Sequence, residues 1–73
     1  MGVSFVETID HAFINTERVD MFRVMKNEEE NVYEVRAYMT YYFGKVMVLS
    51  KHATNMEAYQ EMRKIMAGIN YGG

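Results

Sequence analysis

Residues 32–49, VYEVRAYMTYYFGKVMVL, constrain this chain more than any other stretch. Side chains alternate over residues 32–43, Gly44-Lys45 interrupts them, and residues 46–51 alternate again. A Gly-X pair between two period-two runs is the signal of a β-hairpin closed by a type II′ turn. The difficulty lies in what the hairpin carries. It holds four tyrosines, a phenylalanine and an arginine, so both of its faces present large apolar or aromatic groups. In a chain of 73 residues a small sheet with one helix covers only one face. What covers the other is the functional question the sequence poses.

After His52 the period changes. Ala58, Tyr59, Met62, Ile65, Met66 and Ile69 recur at spacings of three and four, which predicts a helix over residues 55–67. Thr54 with Glu57 three residues later is a capping box. Glu57 and Glu61 near the start, and Arg63 and Lys64 near the end, suit the helix dipole. Gly68 reads as the residue just past the helix, and residues 70–73 as a frayed tail. Upstream, residues 3–8 read as a first strand, and Phe13 and Ile14 either continue it or open the next. Residues 18–26 read as a second strand. NEEEN, residues 27–31, is a polar loop; its three carboxylates read as a solvated tip, because a calcium loop needs alternating ligands and a turn glycine. The expected architecture is α+β: one domain over residues 1–73, with a small antiparallel sheet of three to five strands in ββββα order. Its single C-terminal helix packs on one face.

Directly paired residues in an antiparallel sheet share a face. With a two-residue turn at Gly44-Lys45, Phe43 pairs with Val46 and Tyr38 with Lys51. With NEEEN as a five-residue loop, Lys26 pairs with Val32 and Asp20 with Tyr38. One face is then Val19, Met21, Met25, Tyr33, Val35, Ala37, Met39, Tyr41, Phe43, Val46 and Val48, interrupted only by Arg23. This face is expected under the helix. The other combines Asp20, Val24, Glu34, Thr40 and Lys51 with Phe22, Arg36, Tyr38, Tyr42, Met47 and Leu49. These last six are the candidate binding surface. A contiguous apolar patch marks a contact site, and Tyr, Met and Arg are enriched at interfaces. The assignment rests on register, since a one-residue slip exchanges the faces of a strand.

Composition narrows the function classes. A chain this short buries only ~60% of its unfolded surface, and a core of this size rarely supplies more than roughly 3–5 kcal/mol without a staple. There is no cysteine to staple it, and self-association is the common remaining route to stability. A homodimer closed by two-fold symmetry is expected. Eight methionines read mainly as adaptable packing.

Net charge is −2, with seven acids and three bases in residues 1–31 and three acids and five bases in residues 32–73. No basic stripe suited to a run of phosphates is visible. The first ten residues lack a basic and an apolar segment of signal-peptide type, and no apolar run approaches the ~20 residues that span a membrane. The expected setting is cytoplasmic, without membrane association.

His11 and His52 are the only histidines, and no set of three or four ligands accompanies either, so no metal is expected. Ser50 and His52 are read as pointing apart, with no third group marked out for catalysis. No phosphate-cradling loop or dinucleotide fingerprint is present, so no cofactor is expected. The reading is a non-enzymatic binding or regulatory protein acting through protein–protein contacts. The alternative is a single-stranded nucleic-acid binder in which Tyr38 and Tyr42 stack bases and Arg36 holds phosphate. Asp20 and Glu34 on the same face, and the negative total, disfavour it. The ββββα order is shared by several small dimeric domains, single-strand DNA-binding coactivator-like folds among them, a likeness of architecture that carries no residues across. Small acidic chains are also common among phage and bacterial regulators, a likeness of composition alone.

Overall fold

The structure, a computed structural model, describes residues 4–40 and 44–72. Five strands precede one helix: β1 (Phe5–Glu7), β2 (Phe13–Asn15), β3 (Met21–Asn27), β4 (Val32–Met39), β5 (Lys45–His52) and α1 (Asn55–Gly72), with a 3-10 turn at Thr16–Arg18. The fold is α+β, as expected. Its strands divide into a β1–β2 hairpin and an antiparallel β3–β4–β5 sheet.

Phe13 and Ile14 belong to a strand of their own, paired back on β1 through Val6 and Ile14. The turn between these strands is built on Thr8, which is buried. Its backbone N–H donates to the Ala12 carbonyl at 2.7 Å, and its carbonyl accepts from His11 N at 3.0 Å. Its hydroxyl accepts from Ala12 N at 3.0 Å and donates to the Asp10 carboxylate. His11 closes the turn at φ 68°, a left-handed conformation that costs a side-chain-bearing residue ~1–2 kcal/mol. The hairpin is stitched to the edge of β5 by Ile9 N donating to the Val48 carbonyl at 2.9 Å.

The three-stranded sheet departs from the expected register twice. Between β3 and β4, Asn27 pairs with Val32 and Phe22 with Ala37, one residue off the expected pairing. The loop is four residues, 28–31, because Asn27 belongs to the ladder and shapes the turn. Its Oδ1 accepts from both Glu29 N and Glu30 N at 3.1 Å, and Asn31 takes φ 55°. Between β4 and β5, Met39 pairs with Lys45, so the connection runs from residue 40 to residue 44 in place of a two-residue turn. Asp20 fixes the start of this connection by accepting from Thr40 N at 2.8 Å and from the Thr40 hydroxyl. Gly44 ends it at φ 71°, its N–H donating to the Thr40 carbonyl at 3.3 Å. The strand expected to reach residue 43 ends at Met39; Tyr41, Tyr42 and Phe43 lie outside the described residues. A bulge completes the difference. Val35 pairs with Ser50 and Arg36 with Val48, which leaves Leu49 as the extra residue on β5.

These shifts correct the expected faces. Leu49, Phe22 and Val24 belong to the core cluster with Val35 and Ala37. Met47, opposite Ala37, shares that side. Met21, Met25, Val46 and Val48, expected beneath the helix, pair with Tyr38, Glu34, Tyr38 and Arg36 and lie on the opposite face. The β4 assignments hold: Tyr33, Val35, Ala37 and Met39 are inward.

Helix α1 starts where the capping box places it. Thr54 N donates to Glu57 Oε1 at 3.3 Å, and Glu57 N donates to Thr54 Oγ1 at 3.1 Å. It continues through Gly68 to Gly72 rather than stopping at residue 67, so Gly68 is helix interior and residues 70–72 are not a tail. The helix docks through small residues: Ala58 and Ala37 are both fully buried, and neither has a side chain beyond Cβ to hold the backbones apart. Met62 and Ile65 pack beside Ala58, while Tyr59 and Met66, expected in the same stripe, are exposed. Val6 and Ile14 pack on the same cluster, so hairpin and helix cover the same face of the sheet. No helix among the described residues is long and apolar enough to cross a membrane.

Candidate binding face

The face of the β3–β4–β5 sheet turned away from the helix carries Met21, Arg23 and Met25 from β3, Glu34, Arg36 and Tyr38 from β4, and Val46, Val48 and Lys51 from β5. No described element lies across it. Its centre is polar and organised along β4. Glu34, only 4% exposed, accepts from Arg36 Nε at 2.8 Å and from Asn27 Nδ2 at 2.9 Å. A second guanidinium nitrogen of Arg36 lies 2.8 Å from the same Glu34 Oε1. Burial opposes the Glu34 charge, but the Asn27 and Arg36 hydrogen bonds and the Arg36 charge outweigh it and hold the carboxyl below its ordinary range. Burial likewise opposes the Arg36 charge, and hydrogen bonds to Tyr38 and Glu34 more than offset it.

Arg23 lies directly across from Arg36. Like charges in directly opposed positions are unfavourable. Glu34 neutralises the Arg36 guanidinium, and two carboxylates of the β3–β4 loop face lysines. Glu30 holds Lys51 at 2.6 Å, and Glu28 lies 3.9 Å from Lys26. Two of the three loop carboxylates thus lie against lysines of the flanking strands. Arg23 is exposed. Around the arginine pair stand Met21, Met25, Tyr38, Val46 and Val48, an apolar and aromatic frame for a cationic centre.

Of the six residues picked from sequence, the structure brings two together here, Arg36 and Tyr38. Tyr42 lies outside the described residues. Phe22, Met47 and Leu49 point to the helix side, and Leu49 is core. Sequence reasoning missed Met21, Arg23, Met25, Val46 and Val48. One signal was available: Arg23 was the single charge in an otherwise apolar set, and a buried unpaired arginine is so costly that the register producing it is suspect.

Two other places carry reactive groups or concavity. Ser50 Oγ and His52 Nε2 are 2.8 Å apart, contrary to the expectation that they diverge, because residues two apart on a strand share a face. No carboxylate among the described residues is hydrogen-bonded to His52, so the pair lacks the third group that orients a catalytic imidazole. A groove of about 420 Å³ separates the β1–β2 hairpin from the β4–β5 end, lined chiefly by Phe5, Phe13, Ile14, Met39 and Met47. Asn15, Arg18 and Lys45 form its polar lining. His11 Nδ1 lies 2.9 Å from Glu7 Oε2, and no group of three His, Asp or Glu side chains converges on a common point among the described residues. Comparison with family models, with curated proteins and with solved structures finds no match for this chain.

Proposed function

We propose that this chain is a small non-enzymatic binding protein that engages another protein through the open face of the β3–β4–β5 sheet, with a homodimer as its working unit. The observation that carries this reading is the Arg23–Arg36 pair. The two residues sit directly opposite each other on the open face, Arg23 is exposed, and Glu34, the carboxylate of that face, is already engaged by Arg36 and Asn27. A carboxylate from a partner completes this arrangement electrostatically, and the surrounding methionines, valines and Tyr38 supply apolar contact. Interface energy concentrates in such Arg and Tyr positions. The free edge of β3 adds a row of backbone groups for an extended acidic segment, which places the partner's side chains beside Arg23.

The second reading, single-stranded nucleic acid, draws on the same pair as a phosphate clamp with Tyr38 as a stacking platform. Glu34 at the centre of the face and a single described aromatic weigh against it.

A photo-crosslinking residue placed at Tyr38 tests both. Irradiation in an extract of the source cell should yield a protein adduct, which Arg23→Glu abolishes without lowering the melting temperature. Adducts that persist in Arg23→Glu would overturn the reading. Adducts made mainly with nucleic acid, together with oligonucleotide binding that falls steeply as salt rises, would replace it with the second.

A further inference from the structure

The apolar positions of α1 resolve into two stripes. Ala58, Met62 and Ile65 face the sheet. Met56, Tyr59 and Met66 stand 70%, 51% and 40% exposed, and Arg63 is exposed beside them with its guanidinium 5.9 Å from the Tyr59 ring. At 3.6 residues per turn, Met56, Tyr59, Arg63 and Met66 form one line, about a third of a turn from the core stripe. The hairpin does not cover it. Ser4, Phe5 and Val6 share a shallow hollow with Lys64, Ile65 and Gly68, which is the other flank of the helix.

The spacing of this outer line is three, four, three. That is the a–d–a–d spacing of a coiled-coil seam, and it reads the same in both directions. The chemistry reads the same way too. Turning the helix end for end about a two-fold axis level with Glu61 exchanges Met56 with Met66 and Tyr59 with Arg63. A second copy laid antiparallel on the stripe therefore meets methionine with methionine at both ends, and arginine with tyrosine face twice in the middle. No charge is left facing a like charge along the seam. Ala67, exposed, flanks it and leaves room for close approach.

We propose that α1 is the self-association surface of this protein: two copies pair through an antiparallel Met56–Tyr59–Arg63–Met66 seam related by a two-fold axis. The occupant is a second copy because the stripe is its own complement, the condition for an isologous interface. The seam is four residues long, smaller than the ~20–30 residues a side of a standard interface, so a weak association is expected. This places dimerisation on the helix and leaves the open sheet face for a different partner. The seam rests on the homodimer of the reading above, while partner binding by the sheet face stands or falls separately.

The absence of cysteine makes the arrangement directly testable. Met56→Cys and Met66→Cys chains, mixed and oxidised, should form a 56–66 linked heterodimer, and neither alone should link to itself. By sedimentation the parent should approach twice 8.6 kDa as concentration rises through the micromolar range. Tyr59→Ala should weaken association by about tenfold or more, and Arg23→Glu, on the sheet, should leave it unchanged. The variant positions are exposed, and an unchanged melting temperature confirms that the fold is intact. A constant 8.6 kDa overturns the proposal. So does preferential 56–56 linkage, which means parallel helices. Dissociation by Arg23→Glu but not by Tyr59→Ala moves the dimer to the sheet.

Discussion

The two faces of the β3–β4–β5 sheet are made from one set of strands and solve burial in opposite ways. The packed face uses residues with nothing to satisfy: Val35, Ala37 and Leu49 lie under Ala58, and burial comes from a covering layer. The open face has no layer above it, yet Glu34 is as hidden as the core. Its shelter is lateral. Asn27 and Arg36 fold over it along and across the strands, and their donors replace the water they exclude. A sheet surface can thus hold a rigid charged centre before any partner arrives, which lowers the ordering cost of binding.

The sharpest way to break this contrast is to truncate each face in turn. Leu49→Ala should destabilise the chain by ~2–5 kcal/mol, read from chemical denaturation, because a helix-covered site cannot collapse around the cavity. Glu34→Gln keeps the shape of the open face and removes its charge. It should cost about 1–2 kcal/mol, the difference between charge-assisted and neutral hydrogen bonds. The pH dependence isolates the second effect. The Glu34 carboxyl is held below its ordinary value of 4.5, so its contribution is present above that pH and lost as pH falls through the lower folded-state value. The gap between parent and Glu34→Gln should therefore close in acid, while the Leu49→Ala gap stays; parallel pH profiles for parent and Glu34→Gln would refute the charged role. The smallest expected effect lies away from both faces. At Gly68 an added Cβ meets nothing within 4 Å, and the helix continues past it, so Gly68→Ala should stabilise by roughly 0.5–1 kcal/mol in the same assay.

Fold class and the helix start were legible in the sequence because they depend on local chemistry. The change from period two to spacings of three and four after His52 marked the helix, and Thr54 with Glu57 fixed its first turn. The inward side of β4 was legible too, since Val35, Ala37 and Met39 alternate with Glu34, Arg36 and Tyr38. The faces of β3 and β5 were not. In β3, Met21 and Met25 compete with Phe22 and Val24 for the core, and hydrophobicity cannot choose between the two pairs. The choice is made by the Asn27 side chain, which draws its own residue into the ladder, and by Asn31, which accepts a left-handed backbone. In β5 it is made by the connection from residue 40 to residue 44, which exchanges the sides of Val46, Met47 and Val48, and by the bulge, which turns Leu49 inward; these residues are apolar on both sides. The candidate surface inherited both errors. Arg36 and Tyr38 survived because they sit on β4, and Leu49 and Phe22 did not because they sit on its neighbours.

The Leu49 bulge has a consequence in time as well as in space. A bulged residue is left out of the ladder, so β5 is joined to β4 by two short runs, Lys45–Val48 and Ser50–His52, rather than by one continuous zipper. The first run is also held on its outer edge by the β1–β2 turn through Ile9; the second is held by the helix cap that follows it and by the Lys51–Glu30 bridge. Each run has its own anchor, so each can open without the other. Amide exchange along β5 should fall into two groups of protection that meet at Leu49, a strand that breathes in halves about a fixed, buried pivot.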